Sequence, residues 1–175
     1  MIFARDERMR WNQQSTKAAV IMQMRFDGRF GFPGGHINNG EKTIVGLNRE
    51  LKEELGLDIS EFGFKETDYA VTYLHKVKKF VLHFFVKEVT LENLKTIESN
   101  CIHAQEFGVE ALGCLRPPLY SLKDSFRGLP AFLCNQFAGN AKEELLFGLQ
   151  HSYIIEEEII EKNVMISNNI LSKLA

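Results

Sequence analysis

The alternation of apolar and polar positions along the chain predicts strands and helices in mixed order. Apolar runs of strand length cover Ala18–Met24 and the short segment Phe30–Pro33, which ends at a proline. Strand-like segments at Tyr69–Leu74 and Phe80–Val89 flank a basic turn and predict an antiparallel hairpin, and a further strand is predicted at Val109–Leu115. Such a mixture favours an α+β fold arranged as an α/β/α sandwich.

Helical spacing of apolar residues predicts the remaining elements. The helices are expected at Thr43–Leu55, from Thr90 as N-cap to about Ala104, at Pro130–Phe137, at Ala141–Leu149, and in a tail that contains Ile154, Ile155, Ile159, Ile160 and Val164. No internal repeat, low-complexity segment or linker divides the chain, and at roughly 150 residues per domain its length predicts about one domain.

Composition and charge exclude several classes of protein. Of the 175 residues 45% are hydrophobic and 25% are charged, which is ordinary for a globular protein. The longest nearly apolar stretch, Phe80–Val86, is far shorter than the roughly 20 residues of a membrane span, and the charged start argues against a secretory signal peptide. A net charge of −2 argues against binding nucleic acid by bulk charge, so any contact with RNA is expected to be local.

The predicted helix Thr43–Leu55 carries an acidic face beside its apolar stripe. At about 100° per residue, Glu50, Glu53 and Glu54 share one face. The stripe consists of Ile44, Leu47, Leu51 and Leu55. The three like charges repel each other, and a hard cation such as Mg²⁺ or Mn²⁺ would relieve that repulsion. An acidic helix face is most often simply solvated, so these glutamates alone leave both interpretations open.

The spacing of residues around this helix is more specific than the acidic face. The segment matches every fixed position of G-x₅-E-x₇-R-E-U-x-E-E-x-G-U, where U is aliphatic, through Gly35, Glu41, Arg49, Glu50, Leu51, Glu53, Glu54, Gly56 and Leu57. A chance match over this chain is on the order of 10⁻⁷. The segment therefore resembles the Nudix hydrolases, which cleave nucleoside diphosphates linked to another moiety. The resemblance implies an α+β fold, a Nudix-type α/β/α sandwich with a mixed sheet and a helix that carries the carboxylates.

Further segments resemble the snoRNA-decapping, inosine-diphosphatase branch of that family. They are Met22–Gly35, Thr67–Tyr69, Val109–Gly113 and Gly128–Pro130. The resemblance implies a hydrolase domain over residues 1–150, whose first strand is shorter than in relatives, and a C-terminal helical tail over residues 151–175. It also implies metal-dependent hydrolysis of a phosphoanhydride bond in capped RNA ends and in inosine or deoxyinosine di- and triphosphates.

The same resemblance assigns roles to individual residues. The implied catalytic residues are Glu53, Glu54 and Arg49, and the implied ligands of two or three Mg²⁺ or Mn²⁺ ions are Gly34, Glu50, Glu53 and Glu54. Arg49 is expected to orient a glutamate, and no organic cofactor is expected.

Residues outside the motif are implied in substrate binding. Arg25 is expected to meet the phosphates and Phe32 to contact the base, while Glu144 stands where relatives carry a base-contacting glutamine. Relatives carry a metal-site histidine where this chain has Tyr73, and His75, two residues further along the same strand face, is the candidate metal ligand in its place.

The resemblance also suggests partners and location. We expect the protein to act on a nucleotide or capped RNA, to bind no membrane and to form a homodimer. We expect it in the nucleus and nucleolus, with some in the cytoplasm. Two alternatives stay open, namely a Nudix hydrolase of free or protein-linked ADP-ribose and a non-catalytic module that binds RNA or protein. Loss of a motif glutamate would favour the binding module, and all of them are present.

Overall fold

The computed structural model describes residues 1–10, 14–75 and 79–173. The strands among them are β1 (Ile2–Arg5), β2 (Met9–Arg10), β3 (Gln14–Ser15), β4 (Ala18–Arg25), β5 (Phe30–Gly31), β6 (Tyr69–His75), β7 (Phe80–Phe85), β8 (Lys87–Glu88) and β9 (Ala111–Leu115). The α-helices are α1 (Thr43–Leu55), α2 (Ile59–Phe62), α3 (Leu91–Asn100), α4 (Leu129–Phe132), α5 (Ala141–His151) and α6 (Glu157–Leu171). Among the described residues, no helix combines the length and the apolar character that a membrane crossing requires.

A mixed sheet with the order β5–β4–β1–β8 forms the centre of the fold, and β9 also pairs with β4. Strand β4 runs antiparallel to β1, β5 and β9, whereas β1 runs parallel to β8. The first six residues of β4 are all buried. A strand that is covered on both faces has a continuous apolar sequence rather than an alternating one, as the run from Ala18 to Met22 does.

Alternating side chains of β1 and β4 supply two cores on opposite faces of this sheet. The core beneath α1 and α3 includes Ile2, Ala19, Ile21, Leu51, Leu55, Leu94 and Ile97. The core beneath α4, α5 and α6 includes Phe3, Val20, Met22, Leu129, Leu145, Leu149 and Ile160. Helices therefore cover both faces of a mixed sheet, which confirms the predicted α+β sandwich.

Local sequence signals place both ends of α1 and the start of α3 correctly, but α3 ends at Asn100 and not near the predicted Ala104, because the chain tightens into a 3₁₀ turn over Cys101–His103. Helix α1 has the predicted limits, and it ends at Gly56, whose φ of +63° is readily adopted by glycine. The N–H of Gly56 donates to the carbonyl of Lys52 at 3.0 Å. Thr90 caps α3 as expected, since its hydroxyl accepts from the N–H of Asn93 at 3.1 Å.

The predicted strand Phe80–Val89 is too long. Strand β7 ends at Phe85, because the N–H of Val86 donates to the carbonyl of Asp68 and the N–H of Lys87 donates to that of Met1. These bonds carry the chain from the β6–β7 hairpin to the central sheet, where it continues as β8.

Two predicted helices also differ from the structure. The segment Pro130–Phe137 is helical only to Phe132. Phe137 instead bridges to Phe30, and the N–H of Ala138 donates to the Phe30 carbonyl at 2.8 Å. The tail helix begins at Glu157, so Ile154 and Ile155 are buried in the turn that precedes it.

The stripe of α1 provides a test of the core. Leu55 is 0% exposed, whereas Val45 on the same helix is 53% exposed. We expect Leu55→Ala to lower the free energy of unfolding by about 2–5 kcal/mol, since it removes buried methyl groups and leaves a cavity. The control Val45→Ala should change it by less than about 0.5 kcal/mol in urea unfolding. Similar losses in both variants would contradict this packing.

Candidate active site

The guanidinium of Arg49 joins the acidic residues of the motif. Its Nη1 donates to Glu50 Oε1 at 2.7 Å and to Glu53 Oε2 at 3.0 Å. Its Nε donates to Glu41 Oε1 at 3.2 Å. Hydrogen bonds to Glu41 and Glu50 raise the pKa of Arg49 above its ordinary value, so the side chain stays charged. Arg49 thus fixes the orientation of three carboxylates, two from its own helix and one from the preceding loop.

Glu54 is more deeply placed than the helical wheel predicts. The 100° spacing of a helix places Glu54 at the edge of the apolar stripe, but in the structure Glu54 is only 2% exposed. Its Oε2 accepts from the N–H of Gly34 at 2.9 Å, so the loop before the helix covers it. Burial raises the pKa of Glu54 to about 7, and the charges of Glu50 and Glu110 also raise it. A carboxylate buried in this way requires a compensating partner when it is ionised.

Two glutamates from the loop before β9 lie close to Glu54. One carboxylate oxygen each of Glu54, Glu106 and Glu110 lies within 4.8 Å of the others. The N–H of Glu106 donates to the Glu53 carbonyl at 3.0 Å, which ties this loop to α1. Desolvation and the charge of Glu110 raise the pKa of Glu106. We call Glu54, Glu106 and Glu110 the carboxylate cluster.

Glu106 and Glu110 are not among the site residues predicted from the sequence. The available signal is weak: two glutamates spaced four residues apart beside a predicted strand. Their approach to Glu54 depends on the pairing of β9 with β4, which is a contact between distant parts of the chain. Only the fold brings them to α1.

The carboxylate cluster fits a hard divalent cation. All three side chains offer oxygen ligands, which Mg²⁺ and Mn²⁺ prefer, and a cation would offset both their mutual repulsion and the burial of Glu54. Glu50 and Glu53, which were also predicted as ligands, are held by Arg49 on the same helix. Gly34 lies beside Glu54 through its N–H. The predicted metal residues of the motif are therefore neighbours in the structure.

Arg25 is the predicted phosphate-binding residue, and it lies at the end of β4 beside the carboxylate cluster. Its positive charge opposes the rise in the pKa of Glu54. Its Nε is buried without a hydrogen-bond partner, and it lies 3.8 Å from Asp27 Oδ1. The ion pair with Asp27 therefore holds the Arg25 side chain at the end of β4.

The predicted base-contacting residues Phe32 and Glu144 come from the loop before α1 and from α5. The ring centroid of Phe32 is 5.4 Å from that of Phe84. Burial raises the pKa of Glu144 on α5, and the charge of Glu144 adds to burial in raising the pKa of Tyr73. His75 ends β6, but its side chain lies outside what the structure describes. The roles assigned to these residues stay predictions.

Gly35 provides a test of how tightly Glu50 is positioned. A Cβ at this residue would stand 2.8 Å from Glu50 Oε1 and closer to the rest of the carboxylate group. We expect Gly35→Ala to displace the flexible Glu50 side chain and to lower kcat about tenfold, equivalent to about 1.4 kcal/mol, with little change in Tm. The control Gly113→Ala adds a methyl group in open space. Equal kcat values for the two variants would show that the position of Glu50 is unimportant.

Comparisons with known proteins agree with the motif. The family model described as "Nudt16-like: U8 snoRNA-decapping enzyme-like" matches residues 1–155. The chain is 43% identical over 163 residues to the U8 snoRNA-decapping enzyme of Mus musculus, covering 93% of this chain and 84% of that protein. It is 36% identical over 162 residues to the Tudor-interacting repair regulator protein of Homo sapiens, covering 90% of this chain and 74% of that protein.

A solved structure, a mutT/nudix family protein from Listeria innocua, aligns with a TM-score of 0.48 and 15% identity over 91% of this chain and 92% of that chain. Family membership rests on the sequence relationships and not on this alignment, whose score is low. The family match spans most of the chain, and the motif it contains is intact. The chain belongs to the Nudt16-like family and is a Nudix hydrolase.

Proposed function

We propose that this protein removes the cap from RNA by hydrolysing a phosphoanhydride bond, and that it hydrolyses inosine and deoxyinosine di- and triphosphates by the same chemistry. The observation that carries the proposal is the carboxylate cluster, in which the buried Glu54 faces Glu106 and Glu110. The relatives named as U8 snoRNA-decapping enzymes support capped RNA as the substrate.

The proposal assigns the metal to the acidic residues around α1. Glu54, Glu106 and Glu110 would hold a divalent ion, and Glu50, Glu53 and the carbonyl of Gly34 would complete the binding of two or three ions. Mg²⁺ or Mn²⁺, when bound, supplies an activated water and neutralises charge on the phosphates. Carboxylate oxygens are the metal ligands that both ions prefer.

The remaining residues bind and orient. Arg49 keeps Glu50 and Glu53 in place through hydrogen bonds of 2.7 and 3.0 Å. Arg25 would pair with a phosphate oxygen through its guanidinium group. Phe32 and Glu144 would contact the base, and His75 would contact a metal ion.

A substrate panel tests this proposal and separates it from its alternatives. We expect kcat/KM for a capped RNA and for IDP or dITP to exceed that for ADP-ribose by at least about tenfold in Mg²⁺. A preference for ADP-ribose would replace the proposed substrate class. If none of the four compounds is hydrolysed, the result would instead support a binding module. The relatives named Tudor-interacting repair regulator are the reason to include this alternative.

We also propose a domain division, a location and an assembly. Residues 1–150 would form the hydrolase domain, and residues 151–175 a helical tail whose Ile154, Ile155 and Ile160 pack into the core of that domain. Action on a snoRNA would place the protein in the nucleus and nucleolus, with some in the cytoplasm. A homodimer is the proposed assembly, and analytical ultracentrifugation tests it by the measured mass.

A further inference from the structure

The turn between β4 and β5 presents an exposed aromatic ring. Phe26 is 59% exposed, more than any other phenylalanine among the described residues. Single exposed apolar side chains are common on protein surfaces, so this exposure alone indicates no function. Its surroundings make Phe26 informative.

Hydrogen bonds hold this turn rigidly. The N–H of Gly28 donates to the carbonyl of Arg25 at 2.9 Å, and the N–H of Arg25 donates to that of Arg29 at 2.9 Å. The N–H of Phe26 donates to the carbonyl of Glu110 at 3.0 Å. A ring carried on such a turn loses little conformational entropy when a ligand packs against it.

The ring lies beside the groups proposed to bind the phosphates. The Cζ atom of Arg25 is 5.5 Å from the ring centroid of Phe26, which is within the range of a cation–π contact. Glu110, whose carbonyl accepts from Phe26, belongs to the carboxylate cluster. The ring is thus next to the positive charge of Arg25, and its backbone is bonded to a residue of the carboxylate cluster.

We propose that Phe26 stacks on a nucleobase of the RNA. In a capped RNA the phosphate chain joins two nucleosides. Phe32 would contact the base of one nucleoside, and Phe26 would contact the base of the other. An aromatic ring beside an arginine is the chemistry that binds single-stranded nucleic acid, since every base has a π face and a phosphate near it. This inference rests on the proposed function. The stacking on Phe26 would be a second base contact, which a capped RNA can make and a free mononucleotide cannot.

The neighbouring apolar side chains raise a protein ligand as the competing occupant. Met24 on β4 and Leu112 on β9 are 40% and 42% exposed, and Val109, next to Glu110, is 68% exposed. Arg25 and the carboxylate cluster favour the nucleobase, because a phosphate chain bound there brings a base within reach. A protein ligand would use apolar bulk without requiring an aromatic ring.

Comparing a dinucleotide with a mononucleotide tests the proposal. We expect Phe26→Leu, which keeps apolar bulk but lacks the π face, to raise KM for GpppG by about 5- to 150-fold. The rise for GDP should be at least about fivefold smaller, and Phe26→Trp should keep the wild-type KM for GpppG. Phe126→Leu, which changes another exposed phenylalanine, is the matched control and should leave both KM values within about twofold.

The proposal is overturned if Phe26→Leu leaves KM for GpppG unchanged or raises both KM values equally. Failure of Phe26→Trp to retain wild-type KM would also overturn it, since the turn and not the ring would then matter. Calorimetric Kd values for GpppG and GDP, measured with and without Phe26→Leu in the slow Glu54→Gln background, provide the same comparison with little turnover. If the wild-type protein binds GpppG without hydrolysing it, the proposed function fails while the stacking inference is still decided by these Kd values.

Discussion

Replacing Glu54 with Gln is expected to lower kcat at least a hundredfold, equivalent to about 2.7 kcal/mol of barrier, while the protein stays folded. The glutamine has nearly the same shape, and its side-chain oxygen can accept from the N–H of Gly34 as Glu54 does at 2.9 Å. What it lacks is the negative charge that faces Glu106 and Glu110. Steady-state hydrolysis of IDP in Mg²⁺ measures the effect.

Thermal unfolding adds a second readout for the same variant. We expect Mg²⁺ to raise the Tm of the wild-type protein, because an ion that binds the folded state stabilises it. Glu54→Gln should lose most of that rise. Glu61→Gln, which changes an exposed glutamate on α2, is the matched control and should behave as wild type. Retention of more than about a tenth of wild-type turnover by Glu54→Gln would show that the metal assignment is wrong.

Replacing Arg49 with Lys is expected to lower kcat by about 10- to 100-fold, or about 1.4–2.7 kcal/mol. Lysine keeps the charge but has a single ammonium group in place of a planar fork. It cannot contact Glu41, Glu50 and Glu53 together as Arg49 does. The loss should fall mainly on kcat, with KM for IDP changed less, because the proposed role of Arg49 is to orient carboxylates and not to bind substrate.

A matched arginine controls for the loss of guanidinium chemistry. Arg127 pairs with Asp124 in an exposed loop, and Arg127→Lys should leave kcat within about twofold. If Arg49→Lys instead raises KM with kcat unchanged, Arg49 binds substrate directly and the positioning role is wrong.

Local patterns explain which parts of the fold the sequence predicts well. The limits of α1 follow from its apolar spacing and from Gly56, and the cap of α3 follows from Thr90; each signal lies within a few residues of the structure it predicts. The end of β7 and the short α4 depend on hydrogen bonds between distant segments, such as that of Ala138 with Phe30. Sequence periodicity carries no information about those partners.

The same distinction applies to the candidate site. The motif predicts the glutamates and Arg49 of α1 because they share one helix, and helical geometry alone brings them together. Glu106 and Glu110 reach Glu54 through the pairing of β9 with β4. The burial of Glu54 likewise depends on Gly34 and this loop, so neither could be predicted from the helix alone.

The most direct test of metal-dependent cap removal is a product assay on RNA with a 5′ cap labelled on its terminal phosphate groups. We expect Mg²⁺ or Mn²⁺ to support release of a guanosine nucleotide together with RNA bearing a 5′-phosphate. Chelation of divalent metal should stop the release, and added Mg²⁺ should restore it. Release that continues unchanged in chelator, or no release in either metal, would contradict hydrolysis at the carboxylate cluster.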